Sequence, residues 1–477
     1  MSFRKRLAAV VLLGCLVAAE IFYGNRAVGG QEELERQSLF GARDTLYFWY
    51  TDEALTDFVN SAALQYYEET GCRVVPRLKS GLEYLEQINE ASLHGEEQPD
   101  LFVTTNDTLE KAYLAGLASE ITDENAGNTD IFCRTAQDAV TYHEKLVGYP
   151  FYYETSILLY NKTYLTDAAK TAIQAEADAQ AGEAATAILE NAEDTESAVA
   201  EADAVEVMAY TEEELDREAE KRLEELIPDT IEDILAFSDT YDAPENVEAI
   251  LKWDVSDIFY NYFFVGNYMK TGGDTGDDPN QIDLNNAQVR ACLQMYQDLN
   301  QFFSIDAKEV SYDSILQEFE EGKIIFTIAT TDAIRRLEEE KKQGTFPYDY
   351  GVAVLPDING ELKTRSLSVT NAVVINGYSE KKAAANDFAR FLTEQKAPEL
   401  YEKAGKLPAR EGISYENESI EGCMDEYRAS ISMPKMIETS NFWVQLEIGF
   451  TRIWSGGDIQ EVLDGLNEQM KVQLEET

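Results

Sequence analysis

One carboxylate interrupts the most apolar stretch of the chain. Lys145 to Lys162 reads KLVGYPFYYETSILLYNK, and Glu154 is its single acid. A buried carboxylate without a partner is costly. Glu154 therefore either meets a neighbouring Arg or backbone N–H, or faces a cleft and accepts hydrogen bonds from a ligand. Glu53 and Asp107 are further candidates, because each follows a predicted strand. Ligands of parallel α/β sheets bind outside the carboxyl ends of strands. The same two positions also suit a helix cap or a first-turn acid. Asp254 and Asp257 are interleaved with Trp253, Phe259 and Tyr260, where they either face a cleft or edge a core.

Residues for catalysis are scarce. The two histidines, His94 and His143, fall in a polar loop and a probable turn. No G-x-S-x-G, P-loop, H-E-x-x-H or G-x-G-x-x-G is present. With 90 acids in the chain, no carboxylate pair suited to glycoside hydrolysis stands out. The Asp-rich loop Gly272 to Asn280 lacks the spacing and closing Glu of a calcium loop. Nothing here supports an enzyme, and no cofactor or metal is expected.

The elements that must position these acids alternate. LYFWY at 46–50 reads as a strand, followed by a helix from Leu55 to Thr70 that Gly71 ends. Arg73 to Leu78 is the next strand, then comes a helix carrying Tyr84, Leu85, Ile88 and Leu93. Strand Leu101 to Thr104 follows, then helix Leu109 to Gly116. This βαβα order predicts a largely parallel sheet covered by helices. Thr155 to Tyr160 reads as a buried strand after the break at Gly148 and Pro150, with a turn at Asn161-Lys162. Strands are also expected at Ile324–Ala329, Gly351–Leu355 and Ser366–Ile375, and an amphipathic run from Phe442 to about Gln473.

Thr166 to Leu226 differs in kind. It is rich in Ala and Glu, nearly free of aromatics, and carries a net charge of about −15. Ala and Glu favour helix. The segment reads as one or two exposed helices, or a hairpin broken near Gly182 or Asp194-Thr195. It is either a solvated insertion or a docking arm.

The chain has 477 residues, enough for two lobes, and 44% are hydrophobic, enough for a sizeable core. A net charge of −51 argues against nucleic-acid binding, which needs a basic footprint. Arg4, Lys5 and Arg6 before an apolar run read as an export signal. LLGC at 12–15 is similar to a bacterial lipobox, in which Cys15 would carry lipid. The apolar run continues past Cys15 to Tyr23, interrupted by Glu20, so an uncleaved anchor is the other reading. Residues 1–25 are thus a signal peptide or membrane anchor, and 26–43 a tether. The other cysteines, Cys72, Cys133, Cys292 and Cys423, are too far apart for a metal motif and read as buried thiols.

Six segments in order resemble the extracellular solute-binding proteins of bacterial ABC importers, in the maltodextrin-binding-protein-like sugar group. They are LYFWYTDE (46–53), PDLFVTTND (99–107), KLVGYPFYYETSILLYNKTYL (145–165), FEEGKIIFTIATTD (319–332), YGVAVLP (350–356) and MPKMIETSNFW (433–443). The resemblance implies an α/β periplasmic-binding-protein-like fold of type II: two lobes joined by hinge crossover strands that close on a ligand. The N-terminal lobe would comprise 44–152 and 372–430. The C-terminal lobe would comprise 153–371 and 431–477, with 166–226 inserted. It further implies a membrane-tethered monomer, outside the cytoplasmic membrane, that delivers a carbohydrate to ABC permease subunits. A surface adhesion or sensory protein, or a binder of another polar solute, is the alternative. Carried over residue by residue, Glu53, Asp107 and Glu154 would accept sugar hydroxyls. Trp443 would stack on a pyranose face beside Met433. Thr104 and Asp332 stand where maltodextrin binders have Trp, and Thr108 where they have Arg. Trp253, Tyr260 and Trp49 are the residues available to replace the missing stacking partners.

Overall fold

The computed structural model describes residues 45–95, 97–191, 210–436 and 441–476. Cys15, the tether and the expected break at Asp194-Thr195 lie outside them. The strands that matter for the site are β1 (Thr45–Tyr50), β2 (Arg73–Leu78), β3 (Leu101–Thr105), β4 (Tyr149–Asn161), β5 (Ala249–Leu251), β6 (Ile324–Thr330), β7 (Tyr350–Ala353), β8 (Leu367–Ile375), β9 (Leu407–Pro408) and β10 (Ile431–Ser432). They form one 10-stranded sheet in the order β2-β1-β3-β8-β4-β6-β5, with β7 and β9 also on β4 and β10 on β8. β1 pairs parallel with β2 and β3, as the βαβα reading requires, and β8 runs antiparallel to both β3 and β4.

Strand side chains alternate between the two faces of a sheet. Leu46, Phe48, Leu101, Val103, Val373 and Ile375 pack into one cluster with helix α1 (Thr56–Thr70). Trp49, Phe102, Ala372 and Val374 pack into another beneath the helix Tyr84–His94. The first lobe is therefore a sheet covered on both faces. The second lobe is centred on Trp253, Tyr262, Tyr296 and Trp454. A further cluster under β6 joins Ile157, Leu159, Ile324 and Tyr427 to Phe132 and Ala136.

β4 belongs to both lobes. Tyr149 to Thr155 pair with β8, and Tyr152 and Tyr153 also with β9. Ser156 to Tyr160 pair with β6, and Leu158 to Asn161 also with β7. The change of partners falls between Thr155 and Ser156, both fully buried. Pro150 lies inside this strand, where the expected break would have ended it. The register against β8 shifts at Asn371/Ala372, and such an irregularity admits a residue with no N–H to donate. Asn161-Lys162 is not a turn either: helix α2 (Lys162–Asn191) starts directly, with the Asn161 side chain accepting from the Tyr164 N–H.

The described residues of the acidic segment form two helices. α2 runs through Gly182 without breaking and packs against α3 (Glu212–Leu226). Ala169, Ile173 and Ala219 form the seam, and Lys170–Asp216 and Arg222–Glu176 pairs bridge it. Further along, α4 (Ala333–Gln343) follows β6, α5 (Ala397–Ala404) precedes β9, and α6 (Ser419–Ala429) precedes β10. The C-terminal amphipathic run is two helices, α7 (Phe442–Trp454) and α8 (Ile459–Glu476), separated after Gly456, where φ turns positive. Cys133, Cys292 and Cys423 are buried thiols, whereas Cys72, between α1 and β2, is only partly buried. Among the described residues no helix is long and apolar enough to cross a membrane.

Candidate functional site

Of the thirteen residues of β4, Glu154 alone is not buried. Its neighbours bury their rings, and the strand's alternation turns Glu154 towards the end of β1. There Lys406 meets it. The Lys406 ammonium lies 3.0 Å from Glu154 Oε1 and 3.0 Å from Asp52 Oδ2, with the Tyr152 ring 5.5 Å away. Burial alone would lower the affinity of this amine for its proton. Glu154 and Asp52 outweigh that and hold it above its ordinary range. Asp52 is itself fixed, because its Oδ1 accepts from the Ala54 N–H and caps the short turn Glu53–Leu55.

Lys406 lines a cavity of about 630 Å³ between the lobes. The first lobe contributes Glu53 just after β1, Asp57 in the first turn of α1, and Lys403 to Lys406 at the end of α5. The second contributes Asp332, Arg335, Arg336 and Glu339 at the start of α4. Asp332 is held from behind: its Oδ1 accepts from Tyr312 Oη at 3.1 Å and from Thr330 Oγ1. Tyr312 in turn stacks on Tyr260, with centroids 5.0 Å apart and planes 11° from parallel. The wall is thus charged and hydrogen-bonding, with no aromatic residue among the described residues lining it. Such a wall suits a polar, densely hydroxylated or charged solute whose donors meet carboxylates and whose acceptors meet Lys and Arg. Among the described residues no group of His, Cys, Asp and Glu is placed to hold a metal ion.

The expected site residues fall into several groups. Glu53 and Asp332 face the same cavity, and Glu154 reaches it through Lys406. Asp107 and Met433 form a second group outside the cavity lining. Asn106, fully buried, donates to the Met433 carbonyl at 2.6 Å and accepts from the Thr370 N–H at 2.9 Å. Asp107 Oδ1 is buried with no hydrogen-bond partner, and burial raises the carboxyl pKa despite a bond from Thr105. Trp443, half-buried in the first turn of α7, meets the Tyr262 ring edge-on at 5.4 Å. Trp253 is corrected. It is fully buried, bonds Asn261 through Nε1 and packs against Trp454, so it is core and not cleft. Its aromatic neighbours in sequence are its neighbours in the core.

Sequence reasoning passed over Lys406, Arg335, Arg336 and Asn106. The demand for a partner to Glu154 was the available signal, but it pointed to an Arg or an N–H. The actual partner lies 252 positions away.

The lobes, the shared strand and the polar cavity between them define a ligand-capturing protein. A sequence profile of the bacterial extracellular solute-binding proteins matches residues 61–421, and the chain belongs to that family. The family is one of binding proteins, not catalysts. Among solved structures, the chain is similar to an extracellular solute-binding protein of Staphylococcus aureus in complex with maltose. That match has 20% identity and a TM-score of 0.69, over 91% of this chain and 98% of that one. It is also similar to a cyclo/maltodextrin-binding protein complexed with maltotetraose, at 19% identity and TM-score 0.68, over 91% and 98%. The maltose-binding periplasmic protein of Listeria monocytogenes, in complex with maltose, matches at 20% identity and TM-score 0.67, over 91% and 99%. These likenesses establish the two-lobed fold.

Proposed function

We propose that the chain captures a carbohydrate in the cavity between its lobes and delivers it to the permease of an ABC importer. In this reading the N-terminal segment tethers it outside the cytoplasmic membrane, through lipid on Cys15 or an uncleaved helix. The observation that carries the reading is the cavity. Glu53 and Lys406 from one lobe and Asp332 and Arg335 from the other converge on it, and Lys406 is paired behind the wall with Asp52 and Glu154. Sugar hydroxyls donate to such carboxylates, and closure of the lobes around them removes competing water. The neighbours solved with maltose and maltotetraose support the class of ligand.

The lining favours one second reading. Among the described residues that line it none is aromatic, so none supplies the pyranose stacking that Trp or Tyr provides. A smaller, charged polar solute is the competing ligand. Calorimetric titration of the full chain with maltose, maltotriose and other oligosaccharides, against amino acids and polyamines, separates the two. Heat from a sugar alone supports the carbohydrate reading. Heat from an amino acid or polyamine, with none from any sugar, replaces it.

A further inference from the structure

A direct contact crosses the cavity. Gly405 ends α5 in the left-handed conformation, φ 67°, and lies under the side chain of Arg335 from the first turn of α4. A β carbon on Gly405 would stand 2.2 Å from Arg335 Cδ and 2.4 Å from its Nη1. α5 is rooted in the first lobe through Leu400 and Ala404. α4 is rooted beside β6 through Ala333, Ile334 and Leu337. The guanidinium thus rests on the last turn of the opposite wall, where unpaired helix carbonyls carry partial negative charge. Glu339, one turn further along α4, accepts from Arg335 Nε at 2.9 Å and aims it.

The contact sits close to the hinge line. Thr330, just before α4, pairs with Ser156, while Leu407, just after Gly405, pairs with Tyr153. The spacing between α4 and α5 is therefore tied to the angle between the lobes. We propose that Arg335 seated on Gly405 is a positioning contact for ligand capture, which sets how closely the two cleft walls approach. Gly405 is required because any side chain there unseats Arg335. The clashing atoms are the far end of a flexible side chain, so a substitution displaces Arg335 and leaves the fold in place.

The inference rests on the reading that this cavity is the ligand site. Its test therefore has one readout with ligand and one without. Gly405→Ala, Arg335→Ala and the double variant are compared with the parent by small-angle scattering of the ligand-free full chain and by calorimetry with maltotriose. Each single variant is expected to enlarge the radius of gyration and weaken maltotriose binding by about 5- to 10-fold, the range of a modest coupling between two states. The step from Arg335→Ala to the double variant is expected to cost less than the step from the parent to Gly405→Ala, since the added methyl then has no Arg335 side chain to displace. Backbone strain from Ala at a left-handed position is the same in both backgrounds and so cancels from this comparison. An equal effect of Gly405→Ala with and without Arg335, or unchanged scattering in all three variants, overturns the proposal. A parent that ignores maltotriose removes the sugar reading, and the scattering still decides the contact.

Discussion

Lys406 is the residue around which the cleft acids are arranged. It separates two carboxylates; the second oxygen of Asp52 is held by the Ala54 N–H, while Glu154 meets the ammonium through Oε1. Lys406→Met brings Asp52 and Glu154 together with no cation between them. It is expected to cost about 1–3 kcal/mol of stability, while Glu154→Gln, which leaves Asp52 on the ammonium, costs less than about 1 kcal/mol. Urea unfolding of the two variants ranks them, and equal losses would count against a bridging role. Asn106 makes the complementary case in a dry setting. Asn106→Ala strands the Met433 carbonyl and the Thr370 N–H, at a cost of about 2–4 kcal/mol for two buried groups. A neutral result by the same measurement would mean that water reaches both. The residue types were legible in sequence and the partnerships were not. An acid flanked by Tyr and Thr on a buried strand announces that it needs a partner, but a Lys 252 positions later becomes that partner only through the pairing of β9 with β4.

The first-lobe elements were readable because short apolar runs and amphipathic helices follow one another with clear stops between them. LYFWY of β1 and LFV of β3 are the apolar runs of strands buried on both faces, RVV opens the edge strand β2, and Gly71 ends α1 in the left-handed conformation. Local rules failed where tertiary pairing overrode them. Pro150 is tolerated because β8 shifts register opposite it. Gly182 does not break α2 because a single Gly costs only about 1 kcal/mol against the many helix formers around it. Among the described residues, the packed pair α2 and α3 has little core of its own beyond Ala169, Ile173 and Ala219. The ion pairs that bridge the two helices, Lys170–Asp216 and Arg222–Glu176, are surface pairs of small individual worth. Excising residues 178–213 and closing the gap with a short Gly-rich turn is expected to leave the thermal unfolding temperature nearly unchanged. A large drop in a calorimetric scan would show that the helix pair supports the lobe beneath it.

At the scale of the whole molecule, charge dominates. With 90 acids against 39 bases, the native chain repels itself, and added salt should raise its stability. One buried acid sharpens the pH dependence. Glu426 on α6 is 3% exposed, accepts from the Leu355 N–H at 2.6 Å, and is pushed by burial from 4.5 up to about 7. A raised carboxyl pKa means that the native state holds the proton longer than the unfolded one. Its contribution is complete below about 4.5 and is lost as pH rises through about 7. Lys435 has the opposite sign. Burial lowers it to about 8 against the pull of Asp277, Asp138 and Glu110, so its contribution is present above 10.5 and already lost below about 8. Thermal unfolding should therefore move up by a few degrees on going from about pH 8 to about pH 5.5, and Glu426→Gln should flatten that rise. An identical slope in the variant would assign the effect to surface charge alone. The strand shared by the lobes also governs the order in which the chain can fold. The first lobe's sheet has β8 between β3 and β4, and β8 spans residues 367 to 375 of 477. On the ribosome, β1 to β4 emerge long before the strand that joins them. The first lobe must wait, with its central edge open, until most of the second has been synthesised. Contacts this distant in sequence make folding slow, and the gap is longest where the acidic segment lengthens the path between β4 and β8.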